Sequence, residues 1–392
     1  MEAFYRATRA EISLDALRSN LTAFRQAIPS DMLLLASVKA NAYGHGAVQI
    51  AREAEAFGVD YMGVAFLDEA LQLRLNGIRT PILVLGYVPP AGLAAARDHD
   101  ITIALFRDDI LEAAAALPNN GKKLKAHIKI DSGMGRLGKL AGGEAEAFIE
   151  RALKVSQLEV EGLFTHYSKA DELDKAYTEK QYERFTSVVD YVKKNELPIK
   201  LIHAANSATG IDTPEWGHGM LRLGISMYGI YPSEYVNKQR IQLEPVMSLK
   251  TAIAMTKTAP QGWGISYGAR YVTAGEERIG TLPIGYADGF SRMLTGKAEA
   301  LVRGVRVPVL GSICMDQCMI ALGPAEADGR AIAPDEEVVL LGRQGNAWIT
   351  AEQIADQLGT IPYEVICMLA ARVPRVYRRG EEVTAVVNPL LG

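Results

Sequence analysis

Cysteine is scarce in this chain, which has three thiols in 392 residues: Cys314, Cys318 and Cys367. Thiols so few and so scattered exclude a disulfide framework and predict reduced side chains. Three residues separate Cys314 from Cys318, but no second Cys or His pair lies near enough in sequence for a tetrahedral zinc site. We therefore expect no structural metal.

Long apolar runs and a strong charge of one sign are also missing. No stretch approaches the roughly 20 apolar residues that a membrane span needs, and a net charge of −4 offers no electrostatic footprint for nucleic acid. The first residues, Met1-Glu2-Ala3-Phe4-Tyr5-Arg6, lack the apolar core of a secretory signal. We expect a cytoplasmic protein with neither a membrane nor a nucleic-acid partner.

Strand-like and helix-like runs alternate through the first part of the chain. The predicted strands are Met32–Val38, Tyr61–Phe66, Ile82–Tyr87, Ile101–Phe106, Leu124–Ile130, Val160–Thr165, Lys200–His203 and Leu221–Tyr228. The predicted helices between them include Ala47–Phe57, Asp68–Asn76, Asp109–Leu117, Glu144–Val155 and Lys175–Lys194. A helix over Leu14–Ile28, with Ser13 as its N-cap, precedes the first strand. Eight such repeats predict an α/β fold, an eight-fold β/α (TIM-type) barrel, with an open doubly wound sheet as the competing architecture.

The pattern changes after about Leu243. Strands are predicted at Val246–Lys257, Arg278–Pro283, Ala300–Val309, Met319–Leu322 and Glu337–Leu341, and only Thr350–Leu358 is predicted to be helical. A chain of this length exceeds one hydrophobic core. The predicted domains are a barrel over residues 1–240 and a β-rich C-terminal domain over residues 241–392, with residues 1–11 open to pairing with the second domain.

Lys39 stands just after the first predicted strand, at the edge where such barrels gather their chemistry. By itself, a lysine there is well explained by an ammonium that reaches water. A lysine taken out of water is instead a nucleophile that forms a Schiff base with aldehydes. The residues around Lys39 decide between these interpretations.

The octapeptide Val38-Lys39-Ala40-Asn41-Ala42-Tyr43-Gly44-His45 resembles the pyridoxal-phosphate lysine signature of alanine racemases. The resemblance runs from about Glu11 to Arg375. Further segments resemble the family in the same order: Lys129–Arg136, Thr165-His166, His203–Ala208, Arg222–Ile225, Ser266-Tyr267-Gly268, Gly285–Gly289 and Gly311–Gln317. This resemblance implies a pyridoxal 5'-phosphate enzyme that interconverts L-alanine and D-alanine and supplies D-alanine for peptidoglycan.

The resemblance also implies roles for individual residues. The cofactor-binding residues would be Lys39, Tyr43, Ser207, Arg222, Gly224, Ile225 and Tyr363. The catalytic bases would be Lys39 and Tyr267, one on each face of the α-carbon, supported by His166, Arg136 and His203. The substrate would contact Arg136, Met315, Cys314 and Tyr286, and Lys129 would be a position for carbamylation.

Arg222 would face the pyridine nitrogen of the cofactor. A guanidinium donates hydrogen bonds and accepts none, so that nitrogen would stay unprotonated. The ring would then be a weaker electron sink, which favours return of the proton over transamination. Because Lys39 and Tyr267 fall in different predicted domains, the resemblance further implies a homodimer whose composite sites take Tyr267 from the partner subunit.

Other interpretations remain open at this point. Gly133-Met134-Gly135-Arg136-Leu137-Gly138 matches a dinucleotide fingerprint, but it belongs to the fifth strand–helix repeat and not to the first. A serine or broader-specificity racemase would share the same motifs, because a pocket rejects one added hydroxyl only weakly. A non-enzymatic pyridoxal-phosphate binding protein would lack the second domain. A barrel-type decarboxylase would pair the pyridine nitrogen with an acid, unlike Arg222.

Overall fold

The computed structural model describes residues 4–119, 121–323 and 332–391. The ends of the two predicted domains, residues 1–3 and 392, lie outside this range, as do residues 120 and 324–331 within them. By their contacts the residues form two compact units, one from 17–42 and 47–244, the other from 1–16, 43–46 and 245–392. The first is called the barrel unit below and the second the β-rich unit.

The barrel unit is built on parallel strands buried on both faces, as such sheets require. Within the described residues, strands one to eight are Leu33–Ser37, Tyr61–Val64, Ile82–Val84, Ile101–Leu105, Leu124–Asp131, Leu158–Phe164, Leu201–His203 and Met220–Leu223. Pairing runs from strand eight through strand one to strand seven. The segment before strand eight approaches strand seven, since Gly219 N donates to Ile202 O at 2.8 Å. The predicted barrel is therefore confirmed, nearly closed, and the open doubly wound sheet is excluded.

Helices follow the barrel strands. Their bounds are Ala47–Phe57, Leu67–Leu75, Leu93–Asp98, Asp108–Ala115, Gly143–Leu153, Ala176–Lys194 and Ser207–Asp212. An earlier helix, Leu14–Ala27, begins as predicted after Ser13, whose Oγ accepts a hydrogen bond from Ala16 N at 3.1 Å. Inside the barrel, Leu35, Leu83 and Met220 form a fully buried cluster from strands one, three and eight. This packed interior leaves the strand ends as the place for polar chemistry.

The eighth strand is shorter than predicted. It ends at Leu223, and a 3-10 helix over Ile225–Tyr228 replaces the second half of the predicted run. Gly224 lies between the two with φ −107° and ψ −111°, outside the strand region. The apolar residues beyond it are buried in a helical turn, which periodicity cannot separate from a buried strand over so short a run.

The β-rich unit contains one large mixed sheet. Its strands are Arg9–Ser13, Met247–Ala252, Met255–Ala259, Glu277–Leu282, Glu299–Val302, Val305–Leu310, Cys318–Ala321, Glu337–Gln344, Ala347–Ile349, Arg375–Arg379 and Glu382–Val387. Arg9–Ser13 pairs with Met247–Ala252 and with Arg375–Arg379. A separate small hairpin joins Gly264–Ile265 to Tyr271–Val272. The helices here are Ala351–Leu358 and Pro362–Cys367, so the prediction of a single helix is wrong.

Two predicted strands of this unit are each divided into two strands, and only the first of them is a hairpin. The run Ala300–Val309 turns at Arg303 (φ 51°) and Gly304 (φ 77°), and two positive φ values are what a two-residue hairpin loop needs. The run Val246–Lys257 breaks between Ala252 and Met255. A single glycine, Gly304, was the only turn signal in these two runs. One glycine inside a strand-like run did not suffice to predict the first break, and the second break had no signal at all.

The remaining sequence expectations concern thiols and helices. All three cysteines are free thiols, as predicted. No helix within the described ranges is long and apolar enough to cross a bilayer.

Candidate active site

Lys39 lies at the start of a left-handed turn after the first barrel strand. Residues 40–43 have φ values of 52°, 53°, 53° and 51°, and Ala42 N donates to Val38 O at 2.8 Å. A left-handed helical conformation costs L-residues about 1–2 kcal/mol each. Backbone strain of this size persists only where surrounding contacts hold it, and it clusters at active sites.

Contacts on both sides of the turn hold it in place. In the barrel unit, Asn41 Oδ1 accepts from Ala47 N at 2.8 Å. In the β-rich unit, Arg375 Nε donates to Gly44 O at 3.1 Å, and Tyr377 Oη donates to His45 O at 2.8 Å. Arg375 also donates to carbonyl oxygens of the 369–373 segment. The strained turn is thus held by the Asn41 side chain within it and by the carbonyl groups of the two residues that follow it.

Arg222, on the eighth strand, is the centre of the polar network in the barrel unit. Its side chain is buried, and its guanidinium donates to four acceptors: His203 Nδ1 at 2.9 Å, Thr165 O at 2.8 Å, His166 Nδ1 at 3.0 Å and Ala204 O at 3.0 Å. Burial lowers the pKa of Arg222 to about 9, so the group stays protonated at neutral pH. The Arg222 guanidinium is therefore a fixed cation surrounded by carbonyl and imidazole groups.

The direction of these hydrogen bonds sets the histidine tautomers. Because Arg222 only donates, His203 accepts at Nδ1 and carries its proton on Nε2, which donates to His127 Nδ1 at 2.9 Å. Burial and the Arg222 charge hold the pKa of His203 and of His166 well below the usual range. The same two causes lower the pKa of His127 to about 3. All three imidazoles are neutral at physiological pH.

The pKa of His166 also shows which basic side chains act on it in the barrel unit. After burial, the charges that lower its pKa come from Arg222, Lys129, Arg136 and Lys39. The barrel unit therefore brings together six of the predicted residues: Lys39, Lys129, Arg136, His166, His203 and Arg222. Their convergence cannot be explained as six unrelated structural residues.

Lys129 is a buried lysine on the fifth strand. Its Nζ has no hydrogen-bond partner among the described residues and lies 4.7 Å above the ring of Phe164. Burial, followed by the charges of Arg222 and Arg136, lowers the pKa of Lys129 far below the usual range. An amine in this setting is neutral and nucleophilic.

Ser207, Gly224 and Ile225 meet where strands seven and eight end. Ser207 Oγ accepts from Gly224 N at 3.0 Å, and the adjacent Asn206 Oδ1 caps the short helix by accepting from Thr209 N at 3.0 Å. In barrels of this type, the loops after these two strands commonly form a phosphate site. The hydroxyl and the amides present here have the chemistry of such a site.

The remaining predicted residues lie in the β-rich unit. Ser312 Oγ donates to Tyr267 O at 3.0 Å, and Ser266 Oγ lies 3.3 Å from Cys314 Sγ. Tyr286 N donates to Cys314 O at 3.0 Å. The side chains of Tyr267, Met315 and Tyr286 are 74%, 53% and 41% exposed. Tyr43 and Tyr363 form a second pair in this unit, with ring centroids 6.3 Å apart.

The dinucleotide interpretation of the glycine motif does not fit the structure. A short strand, Lys139–Leu140, follows Gly138, and the next helix begins only at Gly143. A dinucleotide fingerprint needs the helix N-terminus directly at the glycines. Gly138 is required for another reason: its φ is 124°, and a Cβ there would lie 2.5 Å from Asp131 N.

Comparison with known proteins decides the family. The chain matches the alanine racemase N-terminal domain over residues 12–232 and the alanine racemase C-terminal domain over residues 246–377. It is 43% identical to an alanine racemase of Halalkalibacterium halodurans in an alignment of 394 residues that covers 100% of both chains. The chain belongs to the alanine racemase family. The predicted family is confirmed.

Other members of the alanine racemase family agree in sequence and in fold. An alanine racemase of Methanococcus maripaludis is 42% identical over 369 residues, which cover 94% of this chain and 98% of that one. The crystal structure of the Bacillus anthracis alanine racemase with bound L-Ala-P matches with a TM-score of 0.93 at 40% identity, over 100% of both chains. An alanine racemase of Clostridium difficile 630 matches with a TM-score of 0.92 at 41% identity, over 99% of this chain and 100% of that one.

Several charged residues that contact the neighbours of Tyr286 and Met315 were missed in the sequence. Asp288 is fully buried, and its carboxylate binds Arg6 at 2.7 Å, Arg372 at 2.7 Å and Gly285 N at 3.1 Å. Arg372 also binds Asp316, next to Met315, at 2.7 Å. Asp288 stands inside the segment Gly285–Gly289 that resembled the family, so that motif was the available signal.

Proposed function

We propose that the protein is a pyridoxal-phosphate-dependent alanine racemase that interconverts L-alanine and D-alanine. Arg222 carries the proposal, because a buried cation bound to two neutral imidazoles and two carbonyls can only donate to a cofactor ring. A carboxylate at that place would favour decarboxylase-type chemistry instead. We further propose a cytoplasmic enzyme whose D-alanine enters peptidoglycan.

The residues fit three polar groups of pyridoxal phosphate: the aldehyde, the ring nitrogen and the phosphate. Lys39 would hold the aldehyde carbon covalently, and Arg222 would face the ring nitrogen. Ser207 Oγ, the amides of Gly224 and Ile225, and the hydroxyls of Tyr43 and Tyr363 would hold the phosphate. When bound, the cofactor supplies a conjugated ring that takes up the electron pair left at the α-carbon.

Inversion of the α-carbon needs a proton donor on each face. We assign one face to the Lys39 amine and the other to the Tyr267 hydroxyl, with each group taking the proton from one enantiomer and returning one to the other. His166 supports Tyr267 indirectly, because its ring is held by Arg222 in one tautomer. His203 holds the same guanidinium, because its Nδ1 accepts a hydrogen bond from Nη1 of Arg222.

The substrate would be bound by one cation and one backbone N–H group, in a site with a narrow entrance. Arg136 and the backbone N–H of Met315 would bind its carboxylate, with Cys314 beside them. Tyr286 and Tyr363 would narrow the entrance and select small side chains by size. This arrangement suits alanine, and serine is the main alternative because it adds only one hydroxyl.

Lys129 is proposed as a carbamylated residue. The neutral amine that burial produces is the form that adds carbon dioxide. The resulting anion would replace a buried, unpartnered amine with an acceptor for Arg136. It would thereby orient the arginine that binds the substrate.

Two measurements test the proposed function. D-isomer formation from L-alanine and from L-serine, with Lys39→Ala as the inactive control, should show turnover of alanine in preference to serine. Borohydride reduction followed by peptide mapping should find the pyridoxyl group on Lys39. A pyridoxyl group on Lys129 would contradict the assignment. Cofactor binding without any D-isomer would instead favour a non-enzymatic pyridoxal-phosphate binding protein.

A further inference from the structure

Both carboxylate oxygens of Glu69 accept hydrogen bonds from backbone N–H groups at the ends of two neighbouring barrel strands. Oε2 accepts from Ala65 N at 2.7 Å and from Phe66 N at 3.2 Å. Oε1 accepts from Ala40 N at 2.6 Å. The carboxylate therefore ties the peptide that follows Lys39 to the end of strand two.

Helix capping explains only half of this arrangement. Glu69 is the third residue of the helix Leu67–Leu75 and forms the reciprocal contact of a capping box with Phe66. Glutamate and glutamine both serve at such a position, because one oxygen is enough. The second oxygen reaches a residue 29 positions earlier in the chain, and capping does not require that contact.

The Ala40 amide is a critical place for such a contact. Ala40 is the first of four residues with positive φ, so the peptide between Lys39 and Ala40 is where the chain leaves strand geometry. The orientation of that peptide fixes ψ of Lys39 and, with it, the path of the strained turn. Hydrogen bonds to a charged acceptor are shorter and stronger than neutral ones, which suits a contact that opposes strain.

We propose that Glu69 is a positioning residue that holds the Lys39 backbone in its reactive orientation by fixing the Ala40 amide. This inference rests on the proposed racemase function, in which Lys39 both holds the cofactor and moves a proton. A displacement of about 1 Å at a reacting group can cost about a hundredfold in rate. Loss of the Ala40 contact should therefore act on catalysis more than on folding.

Two substitutions separate this role from helix capping and from charge. Glu69→Gln keeps one acceptor oxygen for Ala65 and Phe66 but presents an NH2 group to the Ala40 N–H. Glu69→Asp keeps the charge but is one methylene too short to bridge both sites. Asp68→Asn is the matched control, since it removes an exposed carboxylate from the same helical turn.

The experiment measures exchange and kinetics on the full-length protein. Amide exchange at Ala40, measured by hydrogen–deuterium exchange mass spectrometry, should be at least about tenfold faster in both Glu69 variants. The kcat for alanine should fall at least about tenfold, while KM stays within about twofold. The unfolding temperature of Glu69→Gln should match that of Asp68→Asn, and Asp68→Asn should match the wild type in exchange and in kcat.

Two results would overturn the proposal. Unchanged exchange at Ala40 in Glu69→Gln would show that the contact does not hold the turn. Faster exchange with wild-type kcat in both Glu69 variants would show that the contact does not position Lys39. A wild-type protein that makes no D-alanine would refute the proposed racemase function, and the exchange measurement, which needs no substrate, would still report on the Ala40 contact.

Discussion

At the residue scale, Arg222 imposes a direction on every hydrogen bond around it. Since it cannot accept, His203 and His166 must accept, and the proton of His203 points on to His127. His127 then has its own proton on Nε2, which has no partner in the part of the chain that the structure describes. One guanidinium thus keeps a row of imidazoles neutral and in single tautomers.

This row of histidines makes stability depend on pH. The folded pKa values of His127, His166 and His203 are lowered, whereas in an unfolded chain each imidazole takes up a proton near pH 6.5. Their contribution to stability is therefore fully present above about pH 6.5 and is lost as the pH falls below that value, and for His127 this loss continues down to about pH 3. In that window, His127 changes the free energy of unfolding by up to about 1.4 kcal/mol per pH unit.

We expect His127→Gln to reduce the slope of the unfolding free energy against pH by the contribution of one proton. Urea unfolding at several pH values between 6.5 and 4.5 would measure the slope of the unfolding free energy. The control His99→Gln removes an exposed histidine and should keep the wild-type slope. An equal slope in His127→Gln and wild type would contradict the assignment of His127 as a neutral buried ring.

The residues that could be predicted from sequence are those with a chemical reason to stand out. Lys39, Arg222 and His166 occur in motifs that resemble the family, and polar residues directly after buried strands are conspicuous. Glu69 and His127 could not be found in this way. Glu69 reads as an ordinary first-turn carboxylate, and His127 lies within a strand, so their roles depend on contacts 29 and 76 residues distant.

At the element scale, two glycines with positive φ have different requirements: Gly44 directly follows the left-handed turn, and Gly58 follows the next helix. Gly44 has φ 84°, and a Cβ there would lie 2.3 Å from Ile366 O, a backbone atom that cannot move aside. Gly58 ends the helix Ala47–Phe57 with φ 96°, and a Cβ there meets nothing within 4 Å. The two positions share positive φ and differ in the space around them.

Gly58→Ala and Gly44→Ala therefore form a matched pair. Gly58→Ala should cost about 1–2 kcal/mol, the price of the conformation alone. Gly44→Ala should cost more than about 4 kcal/mol, because the backbone clash adds to it. Urea unfolding, monitored by circular dichroism, would measure the change in unfolding free energy for both variants. Equal costs would mean that the contact with Ile366 is not rigid.

Elements were predicted well where one physical rule acted alone. Ile101–Phe106 and Ala47–Phe57 were found because continuous burial and helical spacing leave little choice. Pairing of residues 1–11 with the second domain was left open, but the strand Arg9–Ser13 itself was not predicted. It is short and is stabilised by pairing with strands about 235 and 365 residues further along the chain. Pairing of that range leaves no local signal in sequence.

At the scale of the whole molecule, the predicted site residues are divided between two units. Lys39, Arg136 and Arg222 belong to the barrel unit, whereas Tyr267, Cys314 and Met315 belong to the β-rich unit. Tyr267 and Met315 expose more than half of their side chains. Because large exposed side chains lie at these predicted site positions, we propose a symmetric dimer in which each site takes Tyr267 from the partner subunit.

Subunit mixing tests this proposal. Lys39→Ala and Tyr267→Phe chains, each inactive alone, are mixed under conditions that exchange subunits. Random pairing makes about half of the dimers hybrids, and in each hybrid both substitutions fall in one site while the other site is intact. We therefore expect about a quarter of wild-type activity to return.

The control is a mixture of Lys39→Ala and Arg222→Ala chains. Both substitutions lie in the barrel unit, so each site of the hybrid carries one of them and no activity should return. Equal behaviour of the two mixtures, with subunit exchange verified by mass spectrometry, would mean that Lys39 and Tyr267 meet within one chain. Recovery confined to the first mixture requires that the two bases come from different subunits, because only then can one hybrid site escape both lesions.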